Sequence, residues 1–516
     1  MKILRIVIAL AAIVVLAGPL MATGTQEGTA TPAARTTLKL PVYDRSRPEL
    51  PPVDDNFWTK WVQSEFGDKN NIDVKYVAIP RGETTAKFNT LIASNDCTDL
   101  IFDYDMPVAM SFYKMGALKT LDIDKVNKMA PNYIKMVGKE TLAYGLVDGK
   151  QVFLPALRPN AYNWIGMVRQ DWLDKVGLKV PTTLEQYNAM LKAFKTANLG
   201  VPASLILPNA YYGAYAFRSF PVSEQDLALY SDVSYAALTW KPVEENLRLD
   251  NQRYNDGLYS PEFFLDRDGK AALADWVAGR VGVYSTYLSA QGVIQPLLQN
   301  APTAKIAFIP LSAGFPAGKK PTARKYWSFG MLDGIYINSK NEDGVLKLLN
   351  WMADPKVLFT FQNGFTGKHH TLSEDGLPVL DSSYKGDDSF MYNSNKDMWC
   401  PVIEGKDFGT AAKNLTVQKN TFAPAGYGYL IEDSYKDYVA TESGYYPDFL
   451  WRSAPTWNDL QAALRDKWQQ SFVALVTCKP GEFDAKYKAA CEEYLAAGYQ
   501  RVLDEKLAAY KKQTGK

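Results

Sequence analysis

An alternation of apolar runs and helical periodicities near the amino terminus constrains the fold of this chain most. Residues 37–43, 72–79 and 99–104 are apolar runs of strand type, and residues 56–66 and 85–93 carry apolar side chains at helical spacing. Strand, helix, strand, helix, strand is the pattern of a parallel sheet with helices on its faces. With 516 residues the chain is too long for one hydrophobic core, so we expect two or more packed α/β units.

The middle of the chain carries a second local pattern. The apolar run 164–168 predicts a strand, and residues 171–176 predict a short helix that Gly177 ends, because glycine adopts the left-handed conformation at low cost. Thr182 and Glu185 then match a capping box ahead of an amphipathic helix. The residues alone predict a strand, a tight helix–glycine turn and a capped helix.

The first 22 residues have the pattern of an export signal. Lys2 and Arg5 form a basic region, an apolar run follows, and Ala22 offers a small residue at the cleavage point. The apolar run is too short for a membrane-spanning helix. No cysteine precedes Cys97, so we expect no lipid anchor at the cleavage point. Residues 23–36 are rich in Thr, Ala and Gly and predict a flexible linker.

Composition and charge exclude several classes of partner. The chain is 47% apolar and 22% charged, as in ordinary folded proteins. Removing residues 1–22 takes away two of the 57 basic residues and none of the 56 acidic ones, which leaves a net charge of −1. No field that would attract nucleic acid or anionic lipid follows from this balance.

The four cysteines leave two alternatives open. Export permits disulfides, and Cys478 and Cys491 flank a turn between two helical patterns, so these two could face each other. Cys97 and Cys400 are remote in sequence, and free buried thiols fit equally well. Without a C-x-x-C motif, neither thiol–disulfide exchange nor a structural zinc site is supported.

Motifs for the common enzymes are missing. The sequence contains no G-x-S-x-G, P-loop, G-x-G-x-x-G or H-E-x-x-H. The two histidines, His369 and His370, are adjacent, so their side chains diverge and a shared metal is not expected. Asp103 and Asp105 flank a strand end and could form a glycosidase pair, but a pair that binds sugar hydroxyls fits equally.

The segment RQDWLDKVGLKVPTTLEQY at residues 169–187 resembles the most recognisable part of the extracellular solute-binding proteins, family 1, of ABC importers. The resemblance is to the long LplA/YtcQ-like, oligosaccharide-binding branch. Further motifs follow the family order: DGK at 148–150, NDGLYSPE at 255–262, AGRVGVY at 278–284 and GFTGKHH at 364–370. Phe365 and Thr366 replace the acidic or apolar residues more usual in the last motif. The order of these motifs, from about residue 38 to 510, carries the resemblance.

The resemblance implies an α/β, two-lobed periplasmic-binding-protein fold of type II-like topology, with a ligand cleft between the lobes. Lobe 1 would comprise residues 37–155 plus about 305–366, and lobe 2 residues 156–304 plus about 367–516. The implied function is capture of a carbohydrate, an oligosaccharide, in the periplasm and delivery to ABC importer permease subunits. The protein would be a monomer, with no enzyme activity, no cofactor and no nucleic-acid partner.

Related alginate-type proteins carry a calcium loop after the helix that ends near residue 195. The matching residues 196–203 read TANLGVPA and contain no carboxylate, the ligand type that calcium needs. We expect no calcium at that place.

Aromatic residues make up 13% of the chain, with 12 Trp and 31 Tyr. A sugar ring stacks its C–H face on Trp or Tyr and offers hydroxyls to Asp, Asn and Arg. Ligands bind beyond the carboxyl ends of strands in α/β sheets. The predicted ligand-binding residues at such places are Asp44, Asp103, Asn163, Trp164, Tyr284 and Trp327. We assign the tryptophans on helix faces to packing: Trp172, Trp276, Trp351 and Trp468.

Two other functions stay open at this stage. An exported carbohydrate-active enzyme could use an acidic residue pair. A ligand-binding component of a sensor would share the same fold without a transporter.

Overall fold

The apolar runs near the amino terminus form neighbouring strands in the computed structural model. β1 (Thr36–Asp44) and β2 (Ile72–Pro80) pair in parallel along their whole length. Asp99, just before β3 (Leu100–Asp103), joins β3 to β1, because its backbone N–H donates to Lys39 O at 2.8 Å and its carboxylate accepts from Lys39 N at 2.7 Å. The predicted parallel arrangement of the first three strands is thus found.

Two later strands form a three-stranded sheet with β3, and we call this sheet together with the β1–β2 pair beside it the first sheet. β11 (Phe329–Ile335) lies between β3 and β6 (Phe153–Leu157) and runs antiparallel to both. The strands β1, β2, β3 and β6 therefore end at one edge of the sheet, and β11 begins there. A hairpin of β4 (Leu146–Val147) and β5 (Lys150–Gln151) precedes β6, and its turn residues Asp148 and Gly149 both have positive φ, as the DGK motif predicts.

A second sheet has the order β10-β7-β9-β8. β7 (Trp164–Arg169) runs antiparallel to β9 (Val281–Tyr287) and to β10 (Ile306–Phe308), whereas β8 (Val201–Ala203) is parallel to β9. Trp164 pairs with Tyr287, so β7 begins at the edge where β9 ends. β12 (His370–Leu372) and β13 (Pro378–Leu380) form a separate hairpin.

Helices connect and cover the sheets. They are α1 (Phe57–Val62), α2 (Thr84–Ala93), α3 (Met106–Lys114), α4 (Ile123–Met129), α5 (Pro131–Ala143), α6 (Gln170–Val176), α7 (Leu184–Thr196), α8 (Glu224–Tyr230), α9 (Lys241–Asn255), α10 (Lys270–Val277), α11 (Gln291–Asn300), α12 (Glu342–Met352), α13 (Pro355–Asn363), α14 (Lys396–Trp399), α15 (Ala411–Phe422), α16 (Gly428–Ala440), α17 (Pro455–Thr477), α18 (Phe483–Tyr494) and α19 (Gln500–Thr514). A π-helical turn, Gln63–Gly67, and Asp68–Asn70 extend α1, and a second π-helical turn, Leu495–Tyr499, joins α18 to α19.

The residues described here are 34–45, 51–159, 164–206, 218, 222–231, 236–266, 269–287, 291–381, 383–386, 395–441 and 454–515. Thr36–Lys516 forms one compact unit by its contacts.

Buried apolar side chains gather around each sheet separately. The largest cluster contains the first sheet and also takes side chains from α9 and from α17 to α19, such as Leu247, Trp468 and Tyr494. Two smaller clusters cover the two faces of the second sheet: Met167 and Tyr284 belong to one, and Val168 and Val283 to the other.

The local pattern predicted for the middle of the chain is found, with one correction. Gly177 ends α6 in the left-handed region at φ 67°, as predicted. The capping prediction for Thr182 and Glu185 is wrong by one residue. Thr183 is the N-cap of α7 and accepts from Gln186 N, while the Gln186 side chain accepts from Thr182. Thr183 and Gln186 have the same spacing as the predicted pair, so the sequence motif cannot choose between the two registers.

Candidate functional site

Charged and aromatic side chains converge on the edge of the first sheet where β1, β2, β3 and β6 end. Some follow those strands directly, and others reach the edge from distant segments of the chain. We call the set the strand-edge cluster: Tyr43, Arg45, Arg81, Asp103, Tyr104, Asp105, Arg158, Tyr326, Asp397 and Glu404. An edge formed by the carboxyl ends of strands is where α/β sheets bind ligands.

Arg45 and Asp397 form the first ion pair of the cluster. Arg45 Nε and Nη2 donate to the two carboxylate oxygens at 2.6 and 2.8 Å, and Tyr104 Oη donates to Asp397 Oδ1 at 3.0 Å. Burial alone would raise the pKa of Asp397, which is 5% exposed, but the hydrogen bonds and charge of Arg45 outweigh burial and lower that pKa. Asp397 is therefore a buried anion held by a bidentate cation.

Asp103 is a second buried carboxyl group, 1% exposed. Tyr43 Oη donates to Asp103 Oδ2 at 3.0 Å, and Asp105 N donates to Asp103 Oδ1 at 2.7 Å. Burial, with the charge of Asp105 added to it, raises the pKa of Asp103 to about 7, although Arg81 opposes the rise. Both carboxylate oxygens of Asp103 therefore accept hydrogen bonds within the cluster.

Arg81 lies over the aromatic rings of the cluster. Its guanidinium carbon is 4.8 Å from the centre of the Tyr43 ring and 5.5 Å from that of Tyr104. Burial would lower the pKa of Arg81, but the charges of Asp103, Tyr43 and Asp105 raise it. Arg81 is thus held between ring faces and carboxylates at the end of β2.

Arg158 and Glu404 form the second ion pair, which is connected to the second sheet through Tyr326 and Trp164. Arg158 Nε donates to Glu404 Oε2 at 2.8 Å, and Nη2 contacts the same oxygen. The guanidinium lies 4.6 Å from the centre of the Tyr326 ring. Trp164 Nε1 donates to Tyr326 Oη at 3.0 Å. This series of contacts joins the end of β6 in the first sheet to the start of β7 in the second.

The structure brings four of the six predicted ligand-binding residues to this region. Asp44 is the half-buried last residue of β1, and Asp103 ends β3. Trp164 begins β7 and is half-buried. Trp327 is half-buried just before β11, with its ring 5.4 Å from that of Tyr144.

Of the other two predicted residues, only Tyr284 is among those the structure describes, and it lies elsewhere. Tyr284 is 6% exposed and stacks on Trp276 at 5.5 Å inside the core of the second sheet. Asn163 lies outside the described residues. Of the tryptophans assigned to packing, Trp172, Trp276 and Trp468 are buried, and the half-buried Trp351 packs against Trp61.

Sequence reasoning missed most of the charged members of the cluster. Arg45, Arg81 and Arg158 each follow a strand directly, so the strand-end criterion that selected Asp44 could have found them. Asp397 and Glu404 come from a segment that crosses the edge more than 200 residues after β6, where Glu404 N donates to Leu157 O. No local signal in the sequence marks these two carboxylates.

The histidine pair is used within its own loop. His369 Nδ1 accepts from Phe365 N at 2.9 Å. His370 contacts Asn363 O and Thr366 Oγ1 through its two ring nitrogens, both at 2.9 Å, and burial lowers its pKa. The two rings therefore serve the turn that follows α13.

The residues after α7 do not fit a calcium ion. Lys195 Nζ donates to the carbonyl of Asp256 at 2.5 Å, and Lys192 Nζ lies 3.1 Å from the Asp256 carboxylate. Residues 196–203 contribute no carboxylate. Lysine ammonium groups thus link the last turns of α7 to the turn after α9. Among the described residues, no group of three or more His, Cys, Asp or Glu could hold a metal.

All four cysteines are free thiols in the structure, so the disulfide alternative for Cys478 and Cys491 is not found. Burial raises the pKa of Cys400 to about 12 and that of Cys97 to about 11, which disfavours the reactive thiolate. In the part of the chain that the structure describes, no helix is both long and apolar enough to cross a membrane.

Curated relatives are similar over part of their length. The fructooligosaccharide ABC transporter substrate-binding protein FusA of Streptococcus pneumoniae serotype 4 is 24% identical over 316 residues, 55% of this chain and 52% of FusA. Lipoprotein LipO of Bacillus subtilis is 23% identical over 354 residues, 62% of this chain and 65% of LipO. The chain thus spans about half of one relative and under two thirds of the other.

Solved structures are similar over nearly the whole chain. Alginate-binding protein AlgQ2, solved without calcium, has a TM-score of 0.67 at 17% identity, covering 93% of this chain and 98% of AlgQ2. FusA in complex with kestose gives the same TM-score and identity over 93% of this chain and 100% of FusA. These similarities confirm the predicted two-lobed α/β fold. A profile described as bacterial extracellular solute-binding protein matches residues 52–358, more than half of the sequence. The predicted family is therefore confirmed, and the chain belongs to the bacterial extracellular solute-binding proteins.

Proposed function

We propose that this protein is the substrate-binding subunit of an ABC importer and that it captures an oligosaccharide. Its family supports a binding function, and FusA, a relative named for fructooligosaccharides, supports the ligand class. The finer location that we propose is the periplasm, with the chain acting as a monomer that delivers ligand to permease subunits.

We place the ligand cleft between two lobes that are centred on the two sheets. The separate core clusters support this division. The sequence-based boundaries assign residues 37–155 and about 305–366 to lobe 1. The packing of α9 and α17 to α19 against the core of the first sheet supports adding these helices to lobe 1 in our proposal.

The observation that carries the proposal is the series Glu404, Arg158, Tyr326, Trp164. It sets an ion pair, a ring face and an indole side by side where the edges of the two sheets meet. A sugar needs a ring face for its C–H groups and paired donors and acceptors for its hydroxyls. This arrangement offers both.

Binding would act through closure of the lobes. A ligand that contacts both lobes in the closed form, and only one lobe in the open form, has a higher affinity for the closed form and shifts the equilibrium towards it. The closed form would then be the one that docks on the permease.

A thermal-denaturation screen tests the proposal. Kestose, cellotetraose and β-1,4-mannotetraose serve as neutral probes, and a bound probe in large excess should raise the melting temperature by about 2 °C or more. Trp164→Ala should weaken that binding by about tenfold or more. The matched control is Met115→Ala: this 50% exposed side chain follows α3 near the opposite end of the first sheet. Cleavage of a probe, or equal loss of binding in both variants, would contradict the proposal.

A further inference from the structure

From the charges of the strand-edge cluster we infer that the cleft accepts uncharged oligosaccharides and rejects acidic ones such as uronates. This inference rests on the proposed function, because it concerns the ligand of the same site. It separates two classes of glycan that a shared fold does not distinguish.

Two of the cations, Arg45 and Arg158, are each paired with a carboxylate of the protein. Arg45 directs two donors to Asp397, and Arg158 directs Nε and Nη2 to Glu404. The exposed fractions of Arg158 and Glu404 are similar, 17% and 21%, so a ligand meets both charges together. Each guanidinium already faces a carboxylate of the protein, so a ligand carboxylate at its other donors would lie beside a second negative charge.

Arg81 is compensated in a different way. It has no ion pair among the described residues within salt-bridge distance, but the charges of Asp103 and Asp105 act on it from the end of β3. Its guanidinium also faces the rings of Tyr43 and Tyr104. Asp44 and Asp105 are half-buried carboxylates that directly follow Tyr43 and Tyr104 in the sequence.

The group of residues that ends the strands, or pairs with those ends, carries no excess of positive charge. Its cations are Arg45, Arg81, Arg158 and also Lys396, whose charge acts on Asp397. Its acids are Asp44, Asp103, Asp105, Asp397 and Glu404. Four cations therefore face five acids, and a proton on Asp103 would only make the numbers equal. Lys325 directly precedes Tyr326, and its Nζ lies 5.7 Å from the centre of the Tyr438 ring. Tyr438 directly follows Asp437 in the sequence.

This balance has opposite consequences for the two classes of sugar. A hydroxyl can donate to a carboxylate and accept from the guanidinium beside it, so ion pairs suit neutral sugars. A uronate must give up its hydration, and here it would meet carboxylates without an uncompensated cation. We expect an acidic sugar to bind about 100-fold more weakly than its neutral counterpart.

Isothermal titration calorimetry of the full-length chain with matched glycans tests the inference. The pairs are β-1,4-mannotetraose with tetramannuronate, and methyl-esterified with free tetragalacturonate; each pair differs only at C6. Binding of a neutral member with about 100-fold weaker binding of its acid supports the inference. Equal or tighter binding of an acid overturns the inference and leaves the proposed function standing. If neither these glycans nor the earlier probes bind, the proposed function fails, and the inference fails with it.

A variant tests the physical cause. Glu404→Gln keeps the shape of the side chain and leaves Arg158 uncompensated, so uronate affinity should rise by about tenfold. The control is Glu482→Gln, at an exposed pair with Lys486 in the turn before α18, which should change nothing. If the Glu404 variant folds, as judged by its melting temperature, and uronate affinity does not rise, charge compensation is the wrong explanation. If it does not fold, the wild-type comparison decides.

Discussion

At the scale of single residues, the strand-edge cluster contains two buried carboxyl groups whose pKa values are shifted in opposite directions. Asp397 and Asp103 are both buried, yet the pKa of Asp397 is lowered and that of Asp103 is raised to about 7. The difference is the bidentate Arg45, which only Asp397 has, whereas Asp103 faces another carboxylate, Asp105.

Asp103 should make stability depend on pH near neutrality. Because burial and Asp105 raise its pKa to about 7, the folded state binds this proton more tightly than the unfolded state. The free energy of unfolding should therefore fall as pH rises from about 4 to about 7, with the full loss present above 7. Asp103→Asn removes this titration. In urea unfolding, the difference between the free energies of unfolding at pH 5 and pH 8 should therefore be smaller in the variant than in the wild type by on the order of 2 kcal/mol. Parallel profiles would contradict the assignment.

Sequence reasoning at this scale found positions better than partners. Asp44, Asp103, Trp164 and Trp327 follow from the strand-end criterion. Tyr284 was selected by the same strand-end criterion, but in the structure its ring lies in the core against Trp276. The apolar run predicts a strand end at Tyr284, whereas β9 continues to Tyr287, so Tyr284 lies within an inner strand of the second sheet.

At the scale of elements, the second sheet depends on close approach of β9 to the two helices of the family motif. A Cβ on Gly282 would lie 2.8 Å from the Phe194 and Trp172 rings and from the backbone oxygen of Pro202. These contacts explain why the motif residues of α6 and α7 serve as scaffold. The Trp172 and Phe194 rings pack over Gly282 of β9 and lie in the core.

Gly282→Ala should therefore lower the free energy of unfolding by about 1–3 kcal/mol, because backbone and two packed rings cannot all move. Gly292→Ala, in α11 with open space around the added methyl group, should leave stability unchanged or slightly higher. Chemical denaturation of both variants gives the comparison. A Gly282 variant as stable as the Gly292 variant would show that β9 is packed less closely than described.

Most elements could be predicted because their patterns are local. The first three strands, the DGK hairpin and the Gly177 terminus all follow from periodicity and turn chemistry. The capping register of α7 could not be fixed, since two threonines offer the same spacing. Residues 483–510 show one continuous helical pattern, yet a π-helical turn with Gly498 at φ 116° interrupts the helix.

At the scale of the whole molecule, the order of weak motifs identified the family, but the later return of residues 397–404 to the first sheet had no signal in the sequence. Asp397 and Glu404 complete ion pairs with residues 352 and 246 positions earlier. Such pairing depends on tertiary structure alone, so the acidic partner of each ion pair could not be predicted from the sequence.

Calcium should not stabilise this chain through the loop after α7. Lys192 and Lys195, near the end of α7, already bind Asp256, and the loop itself offers no carboxylate. Addition of calcium, or of a chelator, should leave the melting temperature unchanged, because an ion that does not bind the native state contributes nothing to stability. A rise with calcium that Asp256→Asn abolishes would contradict this expectation.

The central claim is that a neutral oligosaccharide binds where the edges of the two sheets meet. Hydrogen exchange followed by mass spectrometry, with and without the neutral probe that raises the melting temperature most, tests it directly. We expect slower hydrogen exchange in peptides that contain the ends of β1, β3 and β6 and the start of β7. The exchange rates of α18 and α19 should not change. Protection confined to the helices after residue 455, or no protection with any neutral probe, would contradict it.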